Sequence, residues 1–223
     1  MPTDKHARPV RWDLYVITDE GLGGGRTHEA QARAALEGGA GLIQLRDKAA
    51  STRRLYEAAR AIGEMARAAG GLLIVNDRLD VALAADADGL HVGPDDLPVA
   101  MVRRLLRPGM VLGASAGTVE EAVAAERDGA DYLGVGAVFE ARGSKADAGA
   151  PVGPERVRAI RAAVQIPIVG IGGIKAENAA SVVEAGADGV AVITGVVAAP
   201  DIAVAAARLV EVVRAAKVRA HGR

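Results

Sequence analysis

Helix-like segments alternate along this chain with short runs of consecutive apolar residues. In four clear copies of this pattern the helix-like segment ends in Gly or Ala-Asp and an apolar run follows within a few positions, as in Glu184-Ala-Gly-Ala-Asp-Gly-Val-Ala. Gly at a helix end supplies a left-handed C-cap, and an apolar run without alternation is typical of a strand buried on both faces. Repeated helix–Gly–strand units therefore predict parallel strands joined by right-handed crossovers.

The pattern predicts eight strands, each followed by a helix, within 223 residues. The predicted strands cover residues 13–18, 41–46, 72–76, 89–92, 111–115, 131–136, 167–171 and 189–193. The predicted helices cover residues 27–38, 51–69, 79–85, 98–107, 118–128, 154–164, 175–185 and 201–216. Thr118-Val-Glu-Glu has the spacing of a capping box at the start of the fifth helix.

Eight βα units in one chain of this length indicate a single (β/α)8 TIM barrel of the α/β class. An open doubly wound sheet is the alternative, but it usually carries a Gly-rich fingerprint after its first strand. Residues 21–25 are Gly-rich there without G-x-G-x-x-G spacing. We expect an N-terminal tail over 1–12, a barrel catalytic domain over 13–216 and a C-terminal tail over 217–223.

Composition and charge limit the kinds of molecule that this protein is expected to bind. Half of the residues are hydrophobic, only 2% are aromatic and the formal net charge is −1, so neither stacking nor a global positive field favours nucleic acid. The absence of cysteine excludes disulfides and thiolate chemistry. No apolar run is long enough to span a bilayer. We expect a cytoplasmic protein without nucleic-acid or membrane partners, and a homo-oligomer is compatible with the sequence.

The segment from Gln44 to Lys48 carries the first indication of chemistry. Alternate residues of an extended chain point the same way, so Gln44, Arg46 and Lys48 share one face of the second strand and its continuation. A buried face with two cations needs an anionic partner, and a diphosphate meets that need better than a single carboxylate. A strand that frays into a solvated charged turn is the alternative interpretation.

Further polar residues fall at the ends of the next strands, where barrel enzymes carry their active sites. Asn76 and Asp77 end the third strand, Asp96 follows the fourth, and Ser115 ends the fifth. The acidic residues could each cap a helix. Their strands are neighbours, roughly 5 Å apart, so the two carboxylates would repel each other without a cation between them. Mg²⁺ takes one or two carboxylates together with substrate phosphates.

The last two strands predict a second anion site. They lead into glycine-rich turns around Gly173 and Thr194, where barrels of this class bind phosphate through backbone N–H groups. Tight turns without a ligand are the alternative. Residues 137–153 are predicted to form a lid or substrate loop. We expect His91 to be a hydrogen-bonded barrel residue and His28 to lie on the surface.

Taken together, these motifs resemble the thiamine-phosphate synthase family. The shared features are Gln44-x-Arg46-x-Lys48, Asn76-Asp77, the run ending at Asp96, Ser115, Lys145, the Gly170–Ile174 segment and Ile193-Thr194, in register over roughly residues 13–212. The resemblance implies Mg²⁺-dependent condensation of 4-amino-5-hydroxymethyl-2-methylpyrimidine diphosphate with hydroxyethylthiazole phosphate. The products are thiamine phosphate and diphosphate, and the diphosphate leaves first.

Roles follow from the resemblance by position. Asp77 and Asp96 would hold Mg²⁺, and Arg46, Lys48, Ser115 and Lys145 would be the catalytic residues. The pyrimidine diphosphate and the thiazole phosphate would share a set of substrate-binding residues, namely Gln44, Leu45, Arg46, Asp47, Lys48, Asn76, Ser115, Arg142, Gly143, Ser144, Lys145, Gly173, Ile193 and Thr194. Within that set, Gly173, Ile193, Thr194 and the 142–144 stretch would face the thiazole phosphate.

The sequence also departs from the family pattern. Gly117 stands where the family usually has a histidine, and the loop before Lys145 is one residue longer and retains only Ser144 as a hydroxyl near that lysine. Three alternatives therefore remain: a thiazole tautomerase, another phosphate-binding barrel enzyme, and a regulatory barrel that binds ligand without turnover. In the tautomerases that histidine is implicated in proton transfer, so Gly117 argues for a synthase.

Overall fold

The structure is a computed structural model that describes residues 10–140 and 151–221. Eight parallel strands close into one barrel in the order of the sequence, which confirms the predicted (β/α)8 fold. The strands are β1 Leu14–Thr18, β2 Leu42–Leu45, β3 Leu72–Asn76, β4 Gly89–Val92, β5 Val111–Ala116, β6 Tyr132–Val135, β7 Ile168–Ile171 and β8 Gly189–Val192.

Nine helices surround the barrel in the described part of the chain. They are α1 His28–Glu37, α2 Thr52–Ala68, α3 Leu79–Ala84, α4 Val99–Leu105, α5 Val119–Arg127, α6 Gly153–Arg161, α7 Ala179–Glu184, α8 Thr194–Val197 and α9 Ile202–His221. Helix α8 was not predicted, because four residues are too few to show a helical period. Helix α9 runs to His221, whereas the apolar pattern predicts its end near residue 216.

The predicted capping box is present at the start of α5. The Thr118 hydroxyl accepts the Glu121 N–H at 3.1 Å, and the Glu121 carboxylate accepts the Thr118 N–H at 3.2 Å. These two bonds satisfy backbone donors that the first turn of a helix cannot pair internally. The chain therefore turns sharply from β5, which ends just past Ser115, into α5.

Strand register places the polar strand ends on one rim of the barrel. Asn76 of β3 is level with His91 of β4, and Ser115 of β5 is level with Gly134 of β6. The strands are mostly buried and mostly aliphatic. Because all eight strands run parallel, their carboxyl ends meet at the same end of the barrel.

Glycine makes room for an aromatic ring inside the barrel. A Cβ atom on Gly113 of β5 would lie 2.1 Å from Cζ of Tyr132 on β6. Tyr132 is fully buried, so any larger residue at 113 would displace its ring. Glycine at position 113 therefore leaves the space that the Tyr132 ring and its hydroxyl occupy. In the described part of the chain no helix is long and apolar enough to cross a membrane.

Candidate active site

Polar side chains from β2, β3 and β5 converge at the carboxyl rim of the barrel. Gln44 of β2 is 3% exposed and points inward, whereas Asn76 and Ser115 are half-buried. Leu45 alternates with Gln44 along β2 and is fully buried. The Leu45 side chain therefore belongs to the core, and only its backbone can contribute to a site.

A chain of hydrogen bonds crosses the barrel interior and ends in two of the predicted site residues. The Gln44 amide donates to the Tyr15 hydroxyl at 2.7 Å, and the Tyr15 and Tyr132 hydroxyls lie 2.9 Å apart. Nδ1 of His91 is 3.0 Å from the Tyr132 hydroxyl, and Nε2 of His91 is 3.0 Å from the Ser115 hydroxyl. The structure thus confirms His91 as a hydrogen-bonded barrel residue.

More than one proton arrangement satisfies the four bonds of this chain, because either hydroxyl and either imidazole nitrogen can donate. One of them runs from Gln44 to Ser115. Tyr15 accepts from Gln44 and donates to Tyr132, and Tyr132 donates to Nδ1 of His91. Nε2 of His91 then carries the ring proton and donates to Ser115. In this arrangement the Ser115 hydroxyl proton points away from His91 and can donate at the rim, whereas in the reverse arrangement Ser115 donates to Nε2 of His91. Sequence patterns did not identify the two tyrosines, because an aromatic residue within a buried strand is typical of core.

The two candidate metal ligands lie at the ends of adjacent strands. Asp77 has a left-handed backbone with φ +48°, and its N–H donates to the His91 carbonyl at 2.9 Å. One oxygen of its carboxylate accepts the Asn76 amide at 2.8 Å. One oxygen of the Asp96 carboxylate accepts the Gly93 N–H at 2.7 Å. In each carboxylate these bonds engage a single oxygen, so they are compatible with a second ligand.

Electrostatics show that these acids and the predicted cations are close together. Burial raises the pKa of the Asp77 carboxyl, and the negative charge of Asp96 raises it further. The positive charges of Lys48, Arg78 and Arg46 act in the opposite direction without cancelling that rise. Two carboxylates and several cations therefore share one region at the ends of β2, β3 and β4.

One residue that lies beneath the turn after β2 differs from its predicted exposure. His28 was expected on the surface, but it is 1% exposed and lies beneath this turn. A position at the start of a helix is typical of a solvent-exposed residue, but the packing of α1 against the barrel buries His28. Nε2 of His28 is 3.4 Å from Oδ2 of Asp47, and Oδ1 of Asp47 accepts the N–H groups of Ala49 and Ala50.

Glu20, His28 and Asp47 form a group whose possible ligand atoms all lie within 4.8 Å of one another. Arg54 already forms an ion pair with Glu20 at 2.8 Å, and both imidazole nitrogens of His28 have hydrogen-bond partners. A cation at this place would compete with the guanidinium and with the neighbouring Arg46 and Lys48. We therefore assign the group a role in packing and charge pairing rather than in metal binding.

The turns after β7 and β8 lie against each other at the predicted phosphate site. Gly173 has a left-handed backbone with φ +62°, and a Cβ atom there would lie 2.6 Å from the Glu140 carbonyl oxygen. A Cβ atom on Gly195 would lie 2.8 Å from the Ile174 carbonyl oxygen. Ile193 is buried and directly precedes α8, and Thr194 is exposed. Glycine is therefore required where these turns meet.

The predicted lid is described only at its two ends. Val138 N–H donates to the Ile171 carbonyl at 2.8 Å, and Val152 N–H donates to the Ala137 carbonyl at 2.8 Å, so both ends are anchored beside β7. Four predicted site residues lie outside the described residues, namely Arg142, Gly143, Ser144 and Lys145. Gly117 is described, and its carbonyl accepts from Arg156 at 2.7 Å.

Comparison with known proteins agrees with this geometry. A family model described as thiamine monophosphate synthase matches residues 14–196. The thiamine-phosphate synthase of Moorella thermoacetica is 60% identical over 207 residues, which are 93% of this chain and 98% of that protein. The thiamine-phosphate synthase of Chloroflexus aurantiacus is 56% identical over 203 residues, 91% of this chain and 93% of that protein.

A solved structure extends the agreement to three dimensions. The thiamine phosphate pyrophosphorylase from Pyrococcus furiosus superposes with a TM-score of 0.86 at 42% identity, covering 93% of this chain and 98% of that one. The family model, the sequence relatives and the solved structure thus agree over nearly the whole length of the chain. The chain belongs to the thiamine-phosphate synthase family, transferases that join an aminopyrimidine diphosphate to a thiazole phosphate and release diphosphate.

Proposed function

We propose that the carboxyl rim divides this reaction among three groups of residues. One group binds and neutralises the departing diphosphate, a second holds the pyrimidine, and a third binds the thiazole phosphate. The observation that carries the proposal is the convergence of two carboxylates and two cations at the ends of neighbouring strands. Such a mixed group matches a metal-complexed polyphosphate better than it matches a sugar or a single carboxylate.

The cations of the rim bind the diphosphate. Arg46 is half-buried and Lys48 is exposed, and both charges act on the nearby Asp77. Lys145 joins them on the basis of the family resemblance. Leu45 and Asp47 contribute through the backbone, because the side chain of Leu45 is in the core and that of Asp47 holds the turn. Fixed positive charge around a leaving group stabilises the transition state as negative charge develops there.

The donor set fits Mg²⁺. Burial raises the pKa of the Asp77 carboxyl, and repulsion from Asp96 raises it further. A cation between the two carboxylates would relieve that repulsion. Both ligands are hard oxygen donors, which Mg²⁺ prefers, and substrate phosphate oxygens and water would complete the shell. When bound, Mg²⁺ would neutralise charge on the departing diphosphate.

Gln44, Asn76 and Ser115 bind the pyrimidine diphosphate on the side that faces the barrel interior. Gln44 and Ser115 are the two ends of the hydrogen-bonded chain through Tyr15, Tyr132 and His91, so the barrel core fixes their orientations. We assign the arrangement in which Nε2 of His91 donates to Ser115, which leaves the Ser115 hydroxyl as a donor to substrate at the rim. Preorganised donors lose little freedom when substrate binds.

The thiazole phosphate binds at the turns after β7 and β8. Gly173 offers backbone N–H groups without a side chain in the way, and Ile193 and Thr194 begin the short helix α8. By the family resemblance, residues 142–144 would also face the thiazole phosphate. In this arrangement the thiazole phosphate and the diphosphate occupy different strand ends of the same rim.

The chemistry is a dissociative substitution. The C–O bond to diphosphate breaks first, and both electrons leave with the diphosphate. The resulting pyrimidinylmethyl cation is stabilised by the amino group of its own ring, and the thiazole nitrogen then attacks it. This sequence needs charge neutralisation and alignment of two substrates rather than a protein nucleophile or a general base.

Replacement of Asp77 by asparagine tests the metal assignment. Asn adopts a left-handed backbone readily, so D77N keeps the turn at φ +48°. We expect turnover with both substrates and Mg²⁺ to fall by about 100-fold or more, while the melting temperature does not fall, because a repelling carboxylate has been removed. The exposed neighbour Asp95 provides a matched control, and D95N should turn over like wild type. Wild-type turnover in D77N would contradict the proposal.

A further inference from the structure

An asparagine beside the predicted phosphate site has no role in the function proposed above. Asn178 is half-buried and stands directly before α7, at the position where an asparagine normally caps a helix. Its side chain makes no hydrogen bond to the first turn of α7. Both hydrogen bonds of its amide instead go back to the turn after β7, which contains Gly173. The Asn178 side chain therefore supports the turn rather than the helix.

Two hydrogen bonds connect the Asn178 amide to two peptide groups of this turn. Oδ1 of Asn178 accepts the Lys175 N–H at 2.8 Å, and Nδ2 donates to the Gly173 carbonyl at 3.0 Å. A backbone N–H only donates and a backbone carbonyl only accepts, so these partners determine which amide atom is the oxygen and which is the nitrogen. A flipped amide would satisfy neither bond.

These two bonds set the direction of the backbone groups of Ile174. The C=O and N–H groups of a trans peptide point in opposite directions. Because the Gly173 carbonyl points to Asn178, the Ile174 N–H of the same peptide points away from Asn178. Because the Lys175 N–H points to Asn178, the Ile174 carbonyl points away from it, and that carbonyl lies against Gly195 of α8. Asn178 thus orients both peptides on either side of Ile174.

The Ile174 N–H is a donor that this arrangement leaves for a ligand. Ile174 is 4% exposed, and its N–H has no hydrogen-bond partner within residues 10–140 and 151–221. Buried backbone N–H groups almost always have a partner. A phosphate oxygen is a suitable acceptor, since barrels of this class bind phosphate at the turns after the seventh and eighth strands.

The turn after β7 needs support from outside, because two successive glycines make it flexible. Gly172 and Gly173 have left-handed backbones with φ +98° and +62°. Glycine reaches many other conformations at little cost, so external contacts are needed to hold the turn in this one. Asn178 supplies two such contacts and is itself held. Its carbonyl accepts the Ser181 hydroxyl at 2.8 Å, and its N–H donates to the Lys175 carbonyl at 3.2 Å.

We propose that Asn178 is a positioning residue, whose amide holds the turn after β7 so that the Ile174 N–H is directed at the phosphate of the thiazole substrate. This inference rests on the proposed assignment of the thiazole phosphate to the turns after β7 and β8. Asn178 itself does not touch the substrate. Loss of its amide frees the turn, so substrate binding must then order the turn, and the affinity for the phosphate falls.

The test compares N178A with wild type in steady-state assays with both substrates and Mg²⁺. We expect the KM for thiazole phosphate to rise about tenfold, because two hydrogen bonds that order the turn are lost. The value of kcat and the KM for the pyrimidine diphosphate should not change. A general loss of structure would instead affect both substrates.

Calorimetric titration provides a second measurement that remains informative where N178A is less stable. The two ligands are the thiazole phosphate and the corresponding thiazole alcohol, which lacks the phosphate. Both ligands meet the same fraction of folded protein, so the ratio of their affinities reports the phosphate contacts alone. We expect this ratio to fall about tenfold in N178A. An unchanged ratio would overturn the inference.

N178S separates positioning of the turn from capping of α7. Serine caps helices about as well as asparagine does. Its hydroxyl is a single atom at the place of the asparagine Cγ, so it cannot reach both the Lys175 N–H and the Gly173 carbonyl. N178S should therefore raise the KM for thiazole phosphate as N178A does. A wild-type KM in N178S would show that Asn178 only caps the helix, and would overturn the inference.

S51A is the matched control for the loss of a helix cap. The Ser51 hydroxyl accepts the Arg54 N–H at 3.2 Å at the start of α2. Its removal should lower the melting temperature and leave the KM for thiazole phosphate unchanged.

G173A separates failure of this inference from failure of the proposed function. A raised KM for thiazole phosphate in G173A, together with wild-type values in N178A and N178S, would overturn the role of Asn178 alone. A wild-type KM in G173A would instead overturn the phosphate assignment on which the inference rests.

Discussion

At the scale of single residues, two phenol hydroxyls connect the barrel core to the rim. Tyr15 and Tyr132 are fully buried, and their hydroxyls lie between Gln44 on one side and His91 on the other. Burial raises the pKa of both hydroxyls, so both stay protonated and able to donate over the working pH range. Their hydrogen bonds therefore hold the orientation of residues that we propose touch substrate.

Removal of the Tyr132 hydroxyl should weaken both the fold and the site. Y132F leaves the Tyr15 hydroxyl and Nδ1 of His91 without their shared partner, which costs about 1–3 kcal/mol of unfolding free energy. Chemical denaturation measures this loss, and steady-state kinetics should show a higher KM for the pyrimidine diphosphate. Y56F removes a hydroxyl from a tyrosine that is 40% exposed and should change neither quantity. Equal stability of Y132F and wild type would contradict the role of this chain.

Residues of the candidate site could be predicted from the sequence only where a residue type is unusual for its position in the fold. Arg46 and Lys48 stand out because cations continue a buried strand, and Asp77 and Asp96 because two acids follow neighbouring strands. Tyr132 does not stand out, since an aromatic residue suits a buried strand whether or not its hydroxyl is used. His28 was misplaced for a related reason, because burial at a helix start depends on packing between elements.

At the scale of elements, an ion pair joins the first two helices beside the rim. Arg54 of α2 contacts both carboxylate oxygens of Glu29 on α1, at 2.5 and 2.9 Å. The hydrogen bond from Arg54 is the largest cause that lowers the pKa of Glu29, to about 2 from its ordinary 4.5. Two parallel hydrogen bonds to one guanidinium make this ion pair stronger than a surface ion pair with a single contact.

This pair predicts a defined pH dependence of stability. A carboxyl with a depressed folded-state pKa stabilises the fold above its unfolded pKa, and the stabilisation is lost as pH falls toward the folded value. E29Q should therefore be less stable than wild type by about 1 kcal/mol above pH 4.5, and the difference should vanish near pH 2. Urea denaturation across this range measures it. A difference that stays constant down to pH 2 would exclude the ion pair as its source.

The turn after β7 allows a test of the phosphate cradle with a matched glycine. Gly173 and Gly70 have nearly the same left-handed φ, +62° and +67°. A Cβ atom on Gly173 would strike the Glu140 carbonyl at 2.6 Å, whereas one on Gly70 meets no atom within 4 Å. We expect G173A to raise the KM for thiazole phosphate about tenfold, with little change in affinity for diphosphate. G70A should cost stability alone, and equal kinetics in both variants would contradict the cradle.

Elements were predictable where periodicity runs long enough. All eight strands lie within a few residues of their predicted bounds, because each is a short apolar run. Six of them also follow a glycine or Ala-Asp signal, and the exceptions are β1 and β7. Helix α8 escaped prediction because Thr194–Val197 is a single turn. Its formation depends on the turn from β8 meeting the turn after β7, a contact between distant parts of the chain.

At the scale of the whole molecule, the two ends of the barrel carry different tasks. Asp13, just before β1, accepts bonds from Arg214 at 2.9 Å and Lys217 at 2.5 Å, which ties α9 to the amino end of the barrel. β1 also pairs with β8 to close the sheet. The candidate site lies at the opposite, carboxyl end. This division is general in barrels of this class, where one end serves stability and the other serves chemistry.

The account depends on the carboxyl rim binding a magnesium complex of diphosphate. The most direct measurement is calorimetric titration of the full chain with inorganic diphosphate, in Mg²⁺ and then with the metal removed by a chelator. We predict saturable binding in Mg²⁺ that weakens at least about tenfold without the metal, and a comparable loss in D77N with Mg²⁺ present. Equal affinity in all three cases, or no binding by wild type in Mg²⁺, would contradict the account.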